Sequence, residues 1–274
     1  MAGKDMQSNP WLIVSQPGID PSLINREVFL RLKATCDEFE ARGDEFRCAL
    51  CGRGARMTKE HTPSRAAGNP DSGFVYQIAP ESGEAGQILW GGHPYAGGIV
   101  YPTLCKDCNG GTGADYNPAY VELVDICKAH ACPGNVGKAV LICAEIYPAR
   151  VAKQALTTLI ASSQRGFTEC RKDFRGLVLD RQAKGLPPDG RLWLNLGDKD
   201  ELFEFTGFNA SYDVATAKGF VFCQFYCWPI GWKLTLGEAK PVACVDVSSW
   251  LDCGYDEKRT VEIHVPCIQM RPPF

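Results

Sequence analysis

Four cysteines in two C-x-x-C pairs, Cys48–Cys51 and Cys105–Cys108, constrain this chain more than any other feature. Each pair turns two sulfurs to one side, and two such knuckles brought together make a closed cage of four thiolates, the donor set that suits tetrahedral zinc. A redox C-x-x-C comes singly, at the start of a helix that follows a strand, so two pairs favour a structural zinc ion. Closing the cage brings residues 48–51 against 105–108 and loops out the 53 residues between Cys51 and Cys105. That gap is wide for a simple zinc ribbon and implies an insertion between the knuckles.

Between the pairs stands Lys59-Glu60-His61, and the second pair runs directly into Asn109. A histidine beside a carboxylate, with an amide just after the last thiolate, can hold a second, hard metal ion and an activated water. Taken alone, a histidine is more often a surface or core residue than a catalyst. His61 differs because it lies ten residues after Cys51, on the strand expected to leave the first knuckle, and follows an acid directly. Asn109 alone would read as a cap at a helix start.

At these residues the chain resembles the HNH, or ββα-metal, nuclease superfamily, in the four-cysteine variety to which phage recombination endonucleases belong. The resemblance is carried by Cys48-Ala49-Leu50-Cys51-Gly52, by Lys59-Glu60-His61-Thr62-Pro63 and by the stretch from Leu104 through Cys105, Cys108 and Asn109 to Gly113. It covers about residues 46–120, under a third of the chain. It implies two strands and a helix gripping one Mg2+ or Mn2+ ion, with His61 as the general base and Glu60 and Asn109 as ligands of that ion. Cys48, Cys51, Cys105 and Cys108 would then hold the structural zinc. Three positions depart from the family pattern. Glu60 stands where Asp is usual, Val100-Tyr101-Pro102 where a middle Asn is usual, and Thr112 where a Lys is often found. A non-catalytic zinc module that binds nucleic acid or protein, on a decayed HNH scaffold, is the alternative that Glu60 and Val100 support.

A net charge of −3 excludes a protein that coats nucleic acid through a global basic field, but the charge is unevenly placed. Arg53, Arg56, Lys59 and Arg65 follow the first knuckle with Glu60 as the one acid among residues 53–65, and residues 150–185 carry eight basic side chains against three acidic ones. Within these stretches Arg53, Arg56, Lys59, Arg65, Arg171, Lys172 and Arg175 are candidate contacts to a phosphate backbone, that of DNA in the nuclease reading. A solvated helix surface is the ordinary account of such clusters. Fourteen cysteines without an export signal point to metal ligation plus buried thiols, and Cys36, Cys143, Cys170, Cys223, Cys244 and Cys267 sit among apolar residues. Cys127, His130 and Cys132 cluster but lack a fourth ligand for a second metal. No stretch is apolar and long enough for a signal peptide or a membrane span, so the expected location is cytoplasmic, with no membrane partner.

The pattern divides the chain into a leader and helix (1–45), a zinc-bound HNH-like module with an insertion (46–120), a helical basic region (121–185) and a β-rich C-terminal region (186–274). Helices are expected over Pro21–Arg42, Pro118–Ala131, Gly137–Ile146, Ala149–Ser163 and Arg171–Lys184. Strands are expected over Arg191–Leu196, Glu201–Phe208, Gly219–Trp228, Trp232–Leu236, Pro241–Asp246 and Thr260–Val265. Trp193, Trp228, Trp232 and Trp250 in this region read as core rather than as base-stacking platforms. The expected fold class is α+β: a zinc-stapled ββα-metal (HNH) module, a helical surround and a C-terminal antiparallel β-rich region. That last region is the expected seat of a homodimer contact or a regulatory partner.

Overall fold

In the computed structural model the two knuckles meet, and the rest of the chain is arranged around that junction. The structure describes residues 47–61, 63–69, 72–75, 93–96, 100–131, 133–163, 171–198, 203–213, 218–237 and 240–270. At 59–60, 72–75, 93–96, 100–101, 203–213 and 218–220 the description is of the backbone. The leader and helix expected over 1–45 lie outside the described residues.

Strand β1 (Met57–His61) follows the first knuckle. Of the insertion, the structure describes β2 (Ser72–Val75) and β3 (His93–Ala96), paired antiparallel. Strand β4 (Val100–Cys105) returns antiparallel to β1, with Met57 opposite Cys105 and His61 opposite Val100. The register slips once, so β4 carries an extra residue between Tyr101 and Leu104. Pro102 has no N–H to give the ladder, which makes this a natural site for a bulge. Beside it, the Thr103 carbonyl accepts the Ala49 N–H of the first knuckle at 2.8 Å, and the Thr103 hydroxyl donates to the Ala161 carbonyl at 2.6 Å.

β4 passes without a break into helix α1 (Lys106–Lys128). The sequence pattern places a helix over Pro118–Ala131, after the Gly110-Gly111-Thr112-Gly113 run. The helix in fact begins twelve residues earlier and runs through the proline. Cys108, Thr112, Tyr116, Ala119, Tyr120, Leu123, Val124 and Cys127 form one buried stripe along it. Burial of that stripe outweighs the roughly 3 kcal/mol that an interior proline costs.

The segment expected as a helix over Gly137–Ile146 is instead strand β5 (Ala139–Ile146). Ile142 and Ile146 are buried while Leu141, Cys143 and Glu145 are exposed, a two-residue period that only a strand produces. Helix α2 (Pro148–Ser162) matches expectation in extent, but it is buried on every side rather than along one stripe. Its polar side chains are satisfied locally: Thr157 donates to the Lys153 carbonyl and Ser162 to the Thr158 carbonyl. Helix α3 (Lys172–Leu179) is shorter than the expected Arg171–Lys184.

The remaining strands are β6 (Gly190–Gly197), β7 (Phe203–Asp213), β8 (Lys218–Cys227), β9 (Ile230–Leu236), the two-residue β10 (Val245–Asp246) and β11 (Arg259–Ile268). With β5 they form one seven-stranded sheet in the order β5-β11-β6-β9-β8-β7, and β10 pairs with β6. All of its pairings are antiparallel except β11 with β6, which meet in parallel at Cys267 and Ile268. One apolar core runs from the knuckles through α1 and α2 to the sheet. Trp232 ties these layers together, its indole N–H donating to the Tyr120 hydroxyl at 3.1 Å. Trp193, Trp232 and Trp250 are buried, as core tryptophans should be. Of the six cysteines read as core thiols, Cys223 and Cys267 are buried, Cys244 is half-buried and Cys143 is exposed on β5; Cys36 and Cys170 lie outside the described residues.

Candidate functional site

The knuckles place four sulfurs together. The Sγ atoms of Cys48, Cys51, Cys105 and Cys108 all lie within 4.8 Å of one another, and Cys51 Sγ is 3.8 Å from Cys105 Sγ. Zinc–sulfur bonds of about 2.3 Å give a tetrahedron whose edge is about 3.8 Å, so the cage fits such an ion, which it would hold with no open position. All four cysteines are free, and three are buried. Crowded thiols share protons unequally. The Cys48 thiol is drawn down, chiefly because the Cys108 thiol donates to it, with the Cys105 N–H adding a bond at 3.4 Å. The Cys108 thiol is pushed up by the same bond, and that of Cys105 by burial.

Two arginines brace the cage. Arg53 Nε donates to Cys51 Sγ at 3.4 Å, and its terminal nitrogen is 3.1 Å from Asp107 at the start of α1. Its own pKa is raised, first by the Cys51 contact. Arg175 on α3 donates to the Leu50 carbonyl, and its guanidinium lies over Gly52. Gly52 has φ of +70°, and a Cβ there would stand 2.5 Å from an Arg175 nitrogen.

Asn109 sits on the first turn of α1 and reaches β1: its amide nitrogen donates to Thr58 Oγ1 at 2.8 Å, and Thr58 donates in turn to the Leu104 carbonyl at 2.9 Å. Position 60 lies two residues, about 7 Å, further along the same strand. The side chains of Lys59 and Glu60 lie outside the described residues. His61 is half-buried at the far end of β1. The turn after it is anchored twice. Ser64 bonds Asn117 of α1 at 2.6 Å, and the Cys227 thiol of the sheet donates to the Gly68 carbonyl at 3.3 Å.

The basic candidates divide by what holds them. Arg53 and Arg175 serve the knuckle, and Arg171 pairs with Asp173 and Asp189 while stacking on Phe174. Arg56, Arg65 and Lys172 are exposed. Cys127 is fully buried in the core, its thiol pushed up to about 12 by burial, and Cys132 lies outside the described residues. Sequence reasoning missed Thr58, the anchor of Asn109; its one signal is a hydroxyl at the strand position two before the acid. It also missed that Gly110, Gly111 and Gly113 fall inside α1, where a Cβ on any of them would meet nothing within 4 Å.

What the geometry establishes is a mixed α+β protein with a four-cysteine group able to hold a structural metal such as zinc. Among the described residues no helix is long and apolar enough to cross a membrane. Comparison of the chain with models of protein families, with curated proteins and with solved structures found no match.

Proposed function

We propose that the chain is a metal-dependent endonuclease of the HNH type that hydrolyses phosphodiester bonds in DNA, in a defence or mobile-element setting. The observation that carries this reading is the juncture of β1, β4 and α1. The strand bearing Glu60-His61 pairs with the strand that delivers the second knuckle, and the helix beginning there turns Asn109 back onto that first strand.

His61 accepts the proton of the attacking water, a task that an imidazole nitrogen can perform. Asn109 donates through its amide nitrogen to Thr58, which leaves the amide oxygen as the end that takes a cation. Glu60 and Asn109 would hold a Mg2+ or Mn2+ ion, hard oxygen donors for a hard cation. When bound, that ion neutralises charge on the scissile phosphate and supports the leaving oxygen. Zinc in the cysteine cage does no chemistry; it fixes the start of α1 against the first knuckle. The bare glycine surface of α1 beside Asn109 leaves room for a phosphate backbone to approach closely. Arg56, Arg65 and Lys172, all exposed, supply positive charge.

One observation favours the non-catalytic reading instead: Val100, which offers no polar group, lies opposite His61. Titration of Mn2+ into zinc-loaded protein, followed by the spectrum of the free ion, tests the site directly. Wild type is expected to bind one Mn2+ beyond the zinc, Asn109→Ala and Glu60→Ala to lose it, and plasmid cleavage to be lost with it. Binding of DNA with neither Mn2+ uptake nor cleavage would select the non-catalytic module.

A further inference from the structure

On the face of the sheet away from α2, a cavity of about 270 Å³ opens between β6, β8 and β9 and the segments at 242–244 and 268–270. Its volume falls at the small end of ligand sites. Its lining is divided. Lys233, Asn195 and Gln224 provide the polar side, while Val242, Ile268 and Met270 provide an apolar one. Among the described residues no acidic one lines it.

Two of the polar groups are unspent. Lys233 is half-buried and forms no ion pair with a described residue; its ammonium rests 5.4 Å from the centroid of the Phe222 ring. Asn195 is half-buried and its amide has no hydrogen-bond partner among the described residues. It lies across Gly231, where a Cβ would collide with the amide oxygen, so the glycine is what lets the amide take this place. A half-buried cation and a half-buried amide, both facing a cavity without internal partners, carry desolvation costs that a ligand can recover.

We propose that this cavity binds a small amphiphilic acid, its carboxylate or phosphate on Lys233 and Asn195 and its short apolar body against Val242, Ile268 and Met270. Ammonium-to-oxyanion bonds of this kind are the strong, charge-assisted sort, and the apolar wall adds burial in proportion to area. The site is separate from the zinc knuckles and does not rest on the nuclease reading.

Calorimetric titration of the zinc-loaded, full-length protein with hexanoate, hexyl phosphate, inorganic phosphate and 1-hexanol tests it. At least one of the two acids is expected to bind saturably and one to one, with the alcohol and inorganic phosphate weaker by roughly tenfold or more, since each lacks half of the ligand. The stronger acid tells carboxylate from phosphate. Lys233→Met and Lys233→Gln are expected to weaken the acid by roughly tenfold or more, and Asn195→Ala by a smaller factor, while Lys233→Arg retains binding. Each variant is checked for wild-type zinc content and thermal unfolding, so lost binding is separable from a lost fold. Three results would overturn the proposal: no binding of either acid at up to about 10 mM, unchanged binding in folded Lys233→Met and Lys233→Gln, or 1-hexanol binding as well as the acids.

Discussion

At the scale of single residues, Gly52 and Lys153 show how much of this molecule is set by one backbone angle or one buried charge. Gly52 holds a left-handed conformation under the Arg175 guanidinium. Replacing it by Ala adds backbone strain and displaces Arg175 from the Leu50 carbonyl. Gly52→Ala is therefore expected to lose about 1–2 kcal/mol in urea unfolding of the zinc-loaded protein; an unchanged midpoint would contradict that. Lys153 is fully buried in α2, where its ammonium donates to the Asp180 and Arg181 carbonyls just beyond α3. Burial lowers its pKa from 10.5 to about 8. Between those values the unfolded chain holds the proton that the folded chain has released, so the folded state gains stability as pH rises from about 8 to 10.5. Below about 8 both states are protonated and the penalty is full. The stability difference between wild type and Lys153→Met is expected to shift towards wild type by up to about 3 kcal/mol across that window. A difference that does not change with pH would show that Lys153 titrates normally. In the sequence Gly52 reads only as the residue that closes the first knuckle, and Lys153 as one more surface cation, because sequence pattern cannot show a helix buried on all sides.

At the scale of elements, the knuckles, the strand before His61 and most of the C-terminal strands were legible, because cysteine spacing and alternating aromatic or β-branched residues are local signals; of the strand expected over Pro241–Asp246 only Val245–Asp246 forms. Three features were not. β5 contains Ala, Leu and Glu, good helix formers, and becomes a strand because β11 offers an eight-residue antiparallel partner. The start of α1 was hidden by three glycines and a proline whose local preference is overridden by the buried stripe from Cys108 to Cys127. The cost of those glycines is itself measurable. Each lies in open space, so Gly110→Ala and Gly113→Ala are each expected to raise stability by about 0.5–1 kcal/mol. In the nuclease reading the same substitutions weaken DNA binding, since a methyl group then stands where the backbone approaches. Stabilised variants with undiminished DNA affinity would remove that role from the glycine surface. The third feature is the hydrogen bond from Asn109 to Thr58. Thr58→Val, which keeps shape and loses the acceptor, is expected to cost about 1 kcal/mol in stability and to free the Asn109 amide.

At the scale of the whole molecule, one core joins the cysteine cage to the sheet through α2, and the turn after His61 is fastened to both α1 and β8. Loss of the zinc is therefore expected to weaken the fold as a unit. Chelation, or Cys108→Ser, should lower the midpoint of a single thermal transition rather than release a separate domain; two resolved transitions would show that the module folds independently. The proposed chemistry lies on the strand that this core holds in place. Its most direct test is nicking of a supercoiled plasmid by zinc-loaded protein with Mg2+, Mn2+ or EDTA, beside a His61→Ala variant of equal zinc content and thermal stability. Cleavage is expected to require added divalent ion and to fall by at least about 100-fold in the variant, the range expected on losing a general base. Cleavage that persists undiminished in His61→Ala, or an intact plasmid with wild type under every ion, would contradict it.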